Sequence, residues 1–401
     1  MNGPLHGVRV LDLTAIVLGP TATATLAELG ADVIKVESPD GDSLRRAGPA
    51  RHAGMGAPFL NLNRNKRSLA IDLRQDAGRA AFLALLRTVD VLTYNLRPAS
   101  MARLGLGYEQ VRALRPGIIY CGMYGYAEDG PYAGRPAYDD LIQGLAALPS
   151  LETGPDGTPR YLSVPVVDRV TALSAAFSVA SALFQRERTG QGQAIEIPMF
   201  ETMAAFMLDT HMGGLTFDPP AGPPGYQRLL APERRPHRTR DGWLCLLCYT
   251  PQHWRAFFDL VGRSELKTDT RFADAEAIAR HQSVLLPIVA VAMAQETSAT
   301  WLERLAHAGI PAARLHTVES LVDDEHLRQT GFVTFREHPT EGRIRTLGTA
   351  TRWAGGTPVA QRHAPRLGEH SREILAEAGL AADAIDRLIA DGVVLEPATP
   401  V

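Results

Sequence analysis

The chain has 401 residues, 45% hydrophobic and 21% charged, with 41 Lys+Arg against 44 Asp+Glu for a formal net charge of -3. At roughly 150 residues per domain that is material for two or three domains, and the near-neutral balance lacks the cationic field that captures nucleic-acid backbones. Three cysteines build no disulfide framework, the longest uncharged apolar run (Val170 to Gln185) falls short of a membrane span of about 18 residues, and the N-terminus has no apolar signal core; a cytoplasmic protein without nucleic-acid or membrane partners is expected.

The first third alternates strand and helix. Gly7 to Leu13 reads as a strand, Pro20 to Leu29 as a helix with Pro at its start and Gly30 past its end, and Ala31 to Glu37 as a second strand. This βαβ unit predicts parallel strands joined by a right-handed crossover. The alternation repeats through a strand at Ser68 to Leu73, a helix at Gly78 to Arg87 and a strand at Val89 to Tyr94. A helix at Gln110 to Leu114 and a strand at Gly117 to Gly122 follow. Such a series predicts an α/β fold around a mostly parallel sheet. An extended stretch, Tyr161 to Val167, then leads into a helical run from Arg169 to Arg188 and a strand at Ala194 to Ile197. The Pro- and Gly-rich segment 219 to 225, followed by Arg234, Arg235, Arg238 and Arg240, marks a change of unit. The second unit holds a strand at Trp243 to Tyr249 and a helix introduced by Thr300-x-x-Glu303 and stopped at Gly309-Ile-Pro311. Strand-like patches return after about residue 330, and the last helix runs from Ser371 to Ala378, closed by Gly379.

Candidate chemistry sits at the junctions. The loop Thr14 to Pro20 joins a strand to a helix N-terminus, a place that favours anions, but its single Gly19 followed by Pro20 is not the phosphate-cradling turn of a dinucleotide site. Asp168 stands where an extended stretch meets a helix. An Asp there usually caps the helix, and the same position keeps a carboxylate ionised, as a carboxylate nucleophile requires. The helix behind it is dense in small residues, which fits close packing. Arginine outnumbers lysine 38 to 3 (41 basic residues less Lys35, Lys66 and Lys267), so each lysine is of interest. Lys66 lies in the polar stretch Asn61 to Ser68, a solvated loop or a phosphate ligand. Cys245-x-x-Cys248 has no second pair, and no histidine spacing fits a metal site, so none is expected.

Taken in order, these segments resemble the family III CoA-transferases of the CaiB/BaiF type, which include formyl-CoA:oxalate and carnitine CoA-transferases. The pieces are Leu5-x-Gly-x-x-Val-Leu-Asp-Leu-Thr14 with Gly19-Pro20, Leu29-Gly-Ala-Asp-Val-Ile-Lys-Val-Glu37, Gly41-Asp42 and Asn63-Arg-Asn-Lys-Arg-Ser68. Asn95-Leu-Arg-Pro98, Leu104-Gly105, Gly125-Tyr126, Gly130-Pro131-Tyr132, Pro165-x-x-Asp168 and Arg188-Thr-Gly-Gln-Gly-Gln193 continue the set. Asp241-Gly242, Gly309-Ile-Pro311 and Leu367-Gly-Glu-His370 complete it, over nearly the whole chain.

The resemblance implies a large Rossmann-like domain (residues 1–212 and 331–401) with a smaller α+β domain inserted at 213–330, in an interlocked homodimer. It implies CoA transfer from an acyl-CoA donor to a carboxylic acid acceptor, with CoA as a substrate and no permanently bound cofactor. Asp168 matches the catalytic aspartate, which forms an aspartyl mixed anhydride and then an aspartyl-CoA thioester. Lys66 and Arg103 match cations near the nucleotide, Asn95 and Leu96 the loop over pantetheine and adenine, and Met199 a position after the catalytic helix. Val17 and Leu18 match residues beside the thioester, and Tyr126 and Glu128 are further substrate candidates. Val17 replaces a polar residue of the oxalate enzyme, whose glycine-rich mobile loop also has no counterpart; both departures count against an oxalate-like acceptor. Succinyl-CoA is the first donor to test. The nearest alternative is a 2-methylacyl-CoA racemase, which needs a histidine beside the aspartate, but Ala133 to Asp140 carries Arg135 and no histidine. A CoA-binding protein without turnover is the remaining alternative.

Overall fold

The computed structural model describes residues 3–153, 156–354 and 361–397. Its strands, in chain order, are β1 (Arg9–Leu13), β2 (Asp32–Glu37), β3 (Lys66–Ile71), β4 (Val91–Tyr94), β5 (Ile119–Tyr124) and β6 (Gln193–Pro198). There follow β7 (His237–Arg238), β8 (Trp243–Leu246), β9 (Ala312–Arg314), β10 (Val333–His338), β11 (Gly342–Leu347) and β12 (Val394–Leu395). Packing divides the chain into two compact units, Met1–Met207 with Arg328–Val401, and Leu208–Leu327.

The first unit is a mixed α/β fold around a seven-stranded sheet in the order β12-β3-β2-β1-β4-β5-β6. The six strands β1 to β6 are parallel, and β12 closes the edge antiparallel to β3. Parallel strands joined by helices have both faces covered, so their residues are apolar nearly without break. Alternate side chains then feed opposite layers. Val10, Val33, Val91, Ile119 and Cys121 enter one core layer, while their neighbours Leu11, Ile34, Leu92, Ile118 and Tyr120 enter the other. Helices Leu18–Glu28 and Val166–Thr189 cover the first layer; Asp76–Leu86, Ser371–Glu377 and Ala382–Ala390 cover the second.

Helix Val166–Thr189 is long and apolar enough, by length and composition, to cross a membrane. One face of it is a core stripe of Val167, Thr171, Ala172, Ala175, Ala176, Val179, Ala182 and Leu183, all buried. The small residues among them meet Ala22 and Leu26 of Leu18–Glu28, and the short side chains on both sides let the two helices pack closely.

The second unit is an antiparallel three-stranded sheet, β7-β8-β9, beside helices whose core holds Trp254, Phe257, Phe258, Leu285 and Trp301. The Trp301 indole N–H donates to Met293 O at 3.0 Å, so the ring is buried without losing a polar partner.

Two local expectations are corrected. The stretch Tyr161 to Val167 forms no strand: the helix starts at Val166, with Pro165 as its N-cap residue. Thr300 is not the cap of its helix, which starts one turn earlier, at Ser298. Thr297 caps it through Oγ1, which accepts the Thr300 N–H at 3.3 Å, and the Ser298 N–H is taken by Asp241.

Candidate active site

In an open parallel sheet, ligands sit beyond the carboxyl ends of the strands where the strand order reverses. Here β1 lies between β2 and β4, so the reversal falls between β1 and β4. The loops that leave these two strands are joined by a double hydrogen bond: Asn95 Oδ1 accepts the Ala15 N–H at 3.0 Å, and Asn95 Nδ2 donates to Ala15 O at 2.8 Å. Between them the chain passes through Ile16 at φ 72°, a conformation costly for a β-branched residue. Its surroundings impose it. The Asp42 carboxylate accepts the Ile16 N–H, and Lys35 Nζ donates to Thr14 O at 2.9 Å and to Asp42 Oδ2 at 3.0 Å. Gly19 is required for another reason: a Cβ there would lie 2.1 Å from Thr14 Cβ.

Beneath this loop Asp12 is fully buried. It accepts the Thr14 N–H (2.9 Å), the hydroxyls of Thr14 (2.5 Å) and Thr23 (2.6 Å), and Lys66 Nζ (3.0 Å). Burial works to raise its pKa, but Lys66 and Lys35 with the two hydroxyls hold it below the usual carboxylate value. The same burial pulls the Lys66 ammonium down to about 8, against the opposing pull of Asp12.

This position corrects the expectation for Lys66. Its side chain is 0% exposed, and its three N–H bonds go to Asp12 Oδ2, Pro20 O and Asn63 Oδ1. No donor is left for a phosphate. Exposed cations that follow the carboxyl ends of the strands include Arg74 after β3, clasping Asp72, and Arg97 and Arg103 after β4.

Asp168 lies in the first turn of Val166–Thr189 and does not cap it; its side chain makes no cap bond there. Among the described residues its carboxylate accepts no hydrogen bond. Its own N–H donates to Asp139 Oδ2 at 2.9 Å, which sets a second carboxylate beside it. Asp139 opens helix Asp139–Leu145 and is held by Gln143 Nε2 at 2.6 Å, while Gln143 Oε1 accepts the Leu162 N–H at 3.0 Å. Burial first, then the Asp139 charge, push the Asp168 carboxyl up to about 7, with Arg169 opposing. Burial and the Asp139 charge thus oppose the helix N-terminus, which by itself favours the ionised carboxylate. Arg169 donates to Thr21 Oγ1 at 2.9 Å, which binds the Asp168 turn to the first turn of Leu18–Glu28.

The remaining candidates divide between two neighbouring places on the same sheet edge. Beyond β1 and β4 lie Val17 (half-buried), Leu18 (buried), Asn95, Leu96 (40% exposed) and Arg103, whose guanidinium donates to Ser100 Oγ. Beyond β5 and β6 lie Tyr126, Glu128 and Met199. Tyr126 is buried edge-on against Tyr132 and Phe200, and Met199 is buried at the start of helix Met199–His211. Glu128 is exposed; its Oε1 accepts the Gly134 N–H at 3.3 Å. Sequence reasoning missed Asp139, although the signal was present as an Asp pair ahead of the apolar Leu141-Ile142. It also missed Lys35 and Asp42 as the clamp on the first loop.

Replacing Lys66 by Met strands Asp12 as an unpaired buried charge, and is expected to cost about 3–5 kcal/mol of folding stability. Urea denaturation checks it: a phosphate ligand would instead give unchanged stability with weakened CoA binding.

The model of the family described as CoA-transferase family III matches residues 5–371. A mouse succinyl-CoA:glutarate CoA-transferase is 32% identical over 395 residues, covering 98% of this chain and 90% of that protein. The succinyl-CoA–D-citramalate CoA-transferase of Chloroflexus aurantiacus is 30% identical over 405 residues, with 98% of both covered. The crystal structure of a CAIB/BAIF family protein from Brucella suis superimposes with a TM-score of 0.81 at 31% identity, covering 94% of this chain and 100% of that one. With likeness in sequence and in fold running over nearly its whole length, the chain belongs to the family III CoA-transferases and is an enzyme of CoA transfer.

Proposed function

We propose that this enzyme moves CoA from a donor thioester to a carboxylic acid acceptor with Asp168 as the covalent carrier. The observation that carries the reading is the Asp168 carboxylate itself: partly buried, without a hydrogen-bond partner among the described residues, and beside a second carboxylate. A carboxylate bound tightly by donors is a poor nucleophile, whereas a desolvated and unpaired one is not held back.

The ionised Asp168 attacks the donor thioester carbonyl and expels the CoA thiolate, leaving a mixed anhydride. The thiolate attacks the aspartyl carbonyl of that anhydride, which releases the donor acid and forms the aspartyl-CoA thioester. The acceptor carboxylate attacks this thioester and again expels the thiolate. The thiolate then takes the acceptor acyl group, and the Asp168 carboxylate is restored. Every step keeps one acyl group activated, so the exchange needs no external energy source. Acylation also removes the charge that Asp139 repels, so the pair destabilises the resting carboxylate relative to the neutral intermediates.

Relatives named for succinyl-CoA support succinyl-CoA as the donor to test first. Val17 at the first loop supports an acceptor less polar than oxalate. We further propose the interlocked homodimer. On helix Val166–Thr189, Leu173, Phe177 and Phe184 form one stripe, 60%, 75% and 59% exposed, and a stripe of that size is a surface for another chain.

Three outcomes are expected. Asp168→Ala lowers CoA exchange between succinyl-CoA and a panel of free acids at least about a thousandfold, followed by mass spectrometry of new thioesters, with CoA affinity little changed. Retained exchange would remove Asp168 from the nucleophile's role. Asp139→Asn removes a like charge that raises the Asp168 pKa, so the acid limb of the kcat/KM profile moves to lower pH; a limb that stays in place disproves the coupling. Phe177→Asp halves the solution mass by light scattering if the stripe is the dimer interface.

A further inference from the structure

The first unit holds a cavity of about 520 Å3 on the side of the hairpin β10–β11. Three arginines, Arg64, Arg336 and Arg362, line it together with Lys66, His363 and His370, against one carboxylate, Glu337; the Lys66 ammonium is already bonded to Asp12, Pro20 O and Asn63. None of Val17, Leu18, Asn95, Leu96, Arg103 or Asp168 is among its walls.

The donors in and beside this cavity are poorly matched by acceptors from the protein. Arg64 commits its Nη atoms to Asn61 O and Glu28, but its Nε is buried without an acceptor. Asn65, whose Oδ1 accepts the Arg362 N–H at 2.8 Å, leaves its Nδ2 buried and unpaired. Among the described residues the guanidiniums of Arg336 and Arg362 form no ion pair. His370 Nδ1 accepts the Ser68 N–H at 3.3 Å, so its proton sits on Nε2 as one more donor. Buried donors are seldom left unpaired in a folded protein, and planar guanidiniums gathered around a space match carboxylate and phosphate oxygens in pairs. The volume falls in the range of roughly 300–1,000 Å3 typical of small-molecule sites, larger than a simple inorganic ion needs.

We propose that this cavity binds a small multiply charged anion, a polycarboxylate or a phosphorylated metabolite, at a site separate from that of the reacting thioester. The anion supplies an acceptor for the buried Arg64 Nε and pairs with the exposed guanidiniums of Arg336 and Arg362. Glu337, the one opposing charge, sets an upper limit on affinity and disfavours neutral analogues less than it disfavours anions. The inference does not depend on Asp168 being the nucleophile.

The test is calorimetric titration of the full-length protein saturated with CoA, with citrate in one arm and pyrophosphate in the other to distinguish the two sources of charge. One of them is expected to bind once per chain. Arg336→Ala/Arg362→Ala, two exposed positions, should weaken that binding tenfold or more while CoA affinity stays unchanged, since each lost charge-assisted contact is worth about that much. Glu337→Gln should strengthen it. Failure of both anions to bind, binding that saturating CoA abolishes, or equal affinity in the double variant would each overturn the proposal.

Discussion

The crevice between β1 and β4 depends on two buried carboxylate–ammonium pairs, Asp12 with Lys66 and Asp42 with Lys35, all four side chains closed to solvent. The loop between Leu13 and Leu18 has too little regular structure to hold a strained Ile16 by itself. It is held because Asp42 takes the Ile16 N–H, Lys35 takes the Thr14 carbonyl, and Asp12 takes the Thr14 N–H. Buried ion pairs add little net stability, but removing one partner leaves the other stranded. Such pairs therefore fix one geometry firmly, which is what a loop beside a reacting centre needs.

The network also accounts for two of the three lysines, Lys35 and Lys66, in a chain otherwise committed to arginine. An ammonium has three donors on one small atom, and Lys66 meets three acceptors: Asp12, the Pro20 carbonyl and Asn63. A guanidinium has five donors in a plane, and in the same place it would bury at least two without partners.

Asp12 and Asp168 show how one sheet edge holds carboxylates in opposite states. Both are desolvated. Asp12 is surrounded by two ammonium groups and two hydroxyls that hold it below the usual carboxylate value, whereas Asp168 faces Asp139 and rises to about 7. The first carboxylate is a structural anchor, and the second is balanced between its forms near neutral pH. Environment, not residue type, assigns the roles.

Much of this was readable in the chain. Short apolar runs with Gly and Pro at the turns gave six strands of the parallel sheet within a few residues of their observed limits, because a strand buried on both faces tolerates little else. The position of Asp168 at a helix start and the small-residue face behind it were also local properties. What no local pattern could show was which charges would meet. Lys66 opens β3 at the end of a polar stretch that looks solvated, yet the parallel pairing of β2 with β3 carries it beneath the first loop, 54 residues from Asp12 along the chain. Asp139 was read only as part of a segment without histidine, and its 29-residue separation from Asp168 is closed only when both helices dock on the same layer. The sequence by itself determined the elements and the residue types at their ends, since propensity and periodicity act over a few residues. The tertiary structure alone decided which carboxylates are paired and which stand unpaired, since desolvation and Coulomb interaction depend on distances that only the packed chain defines.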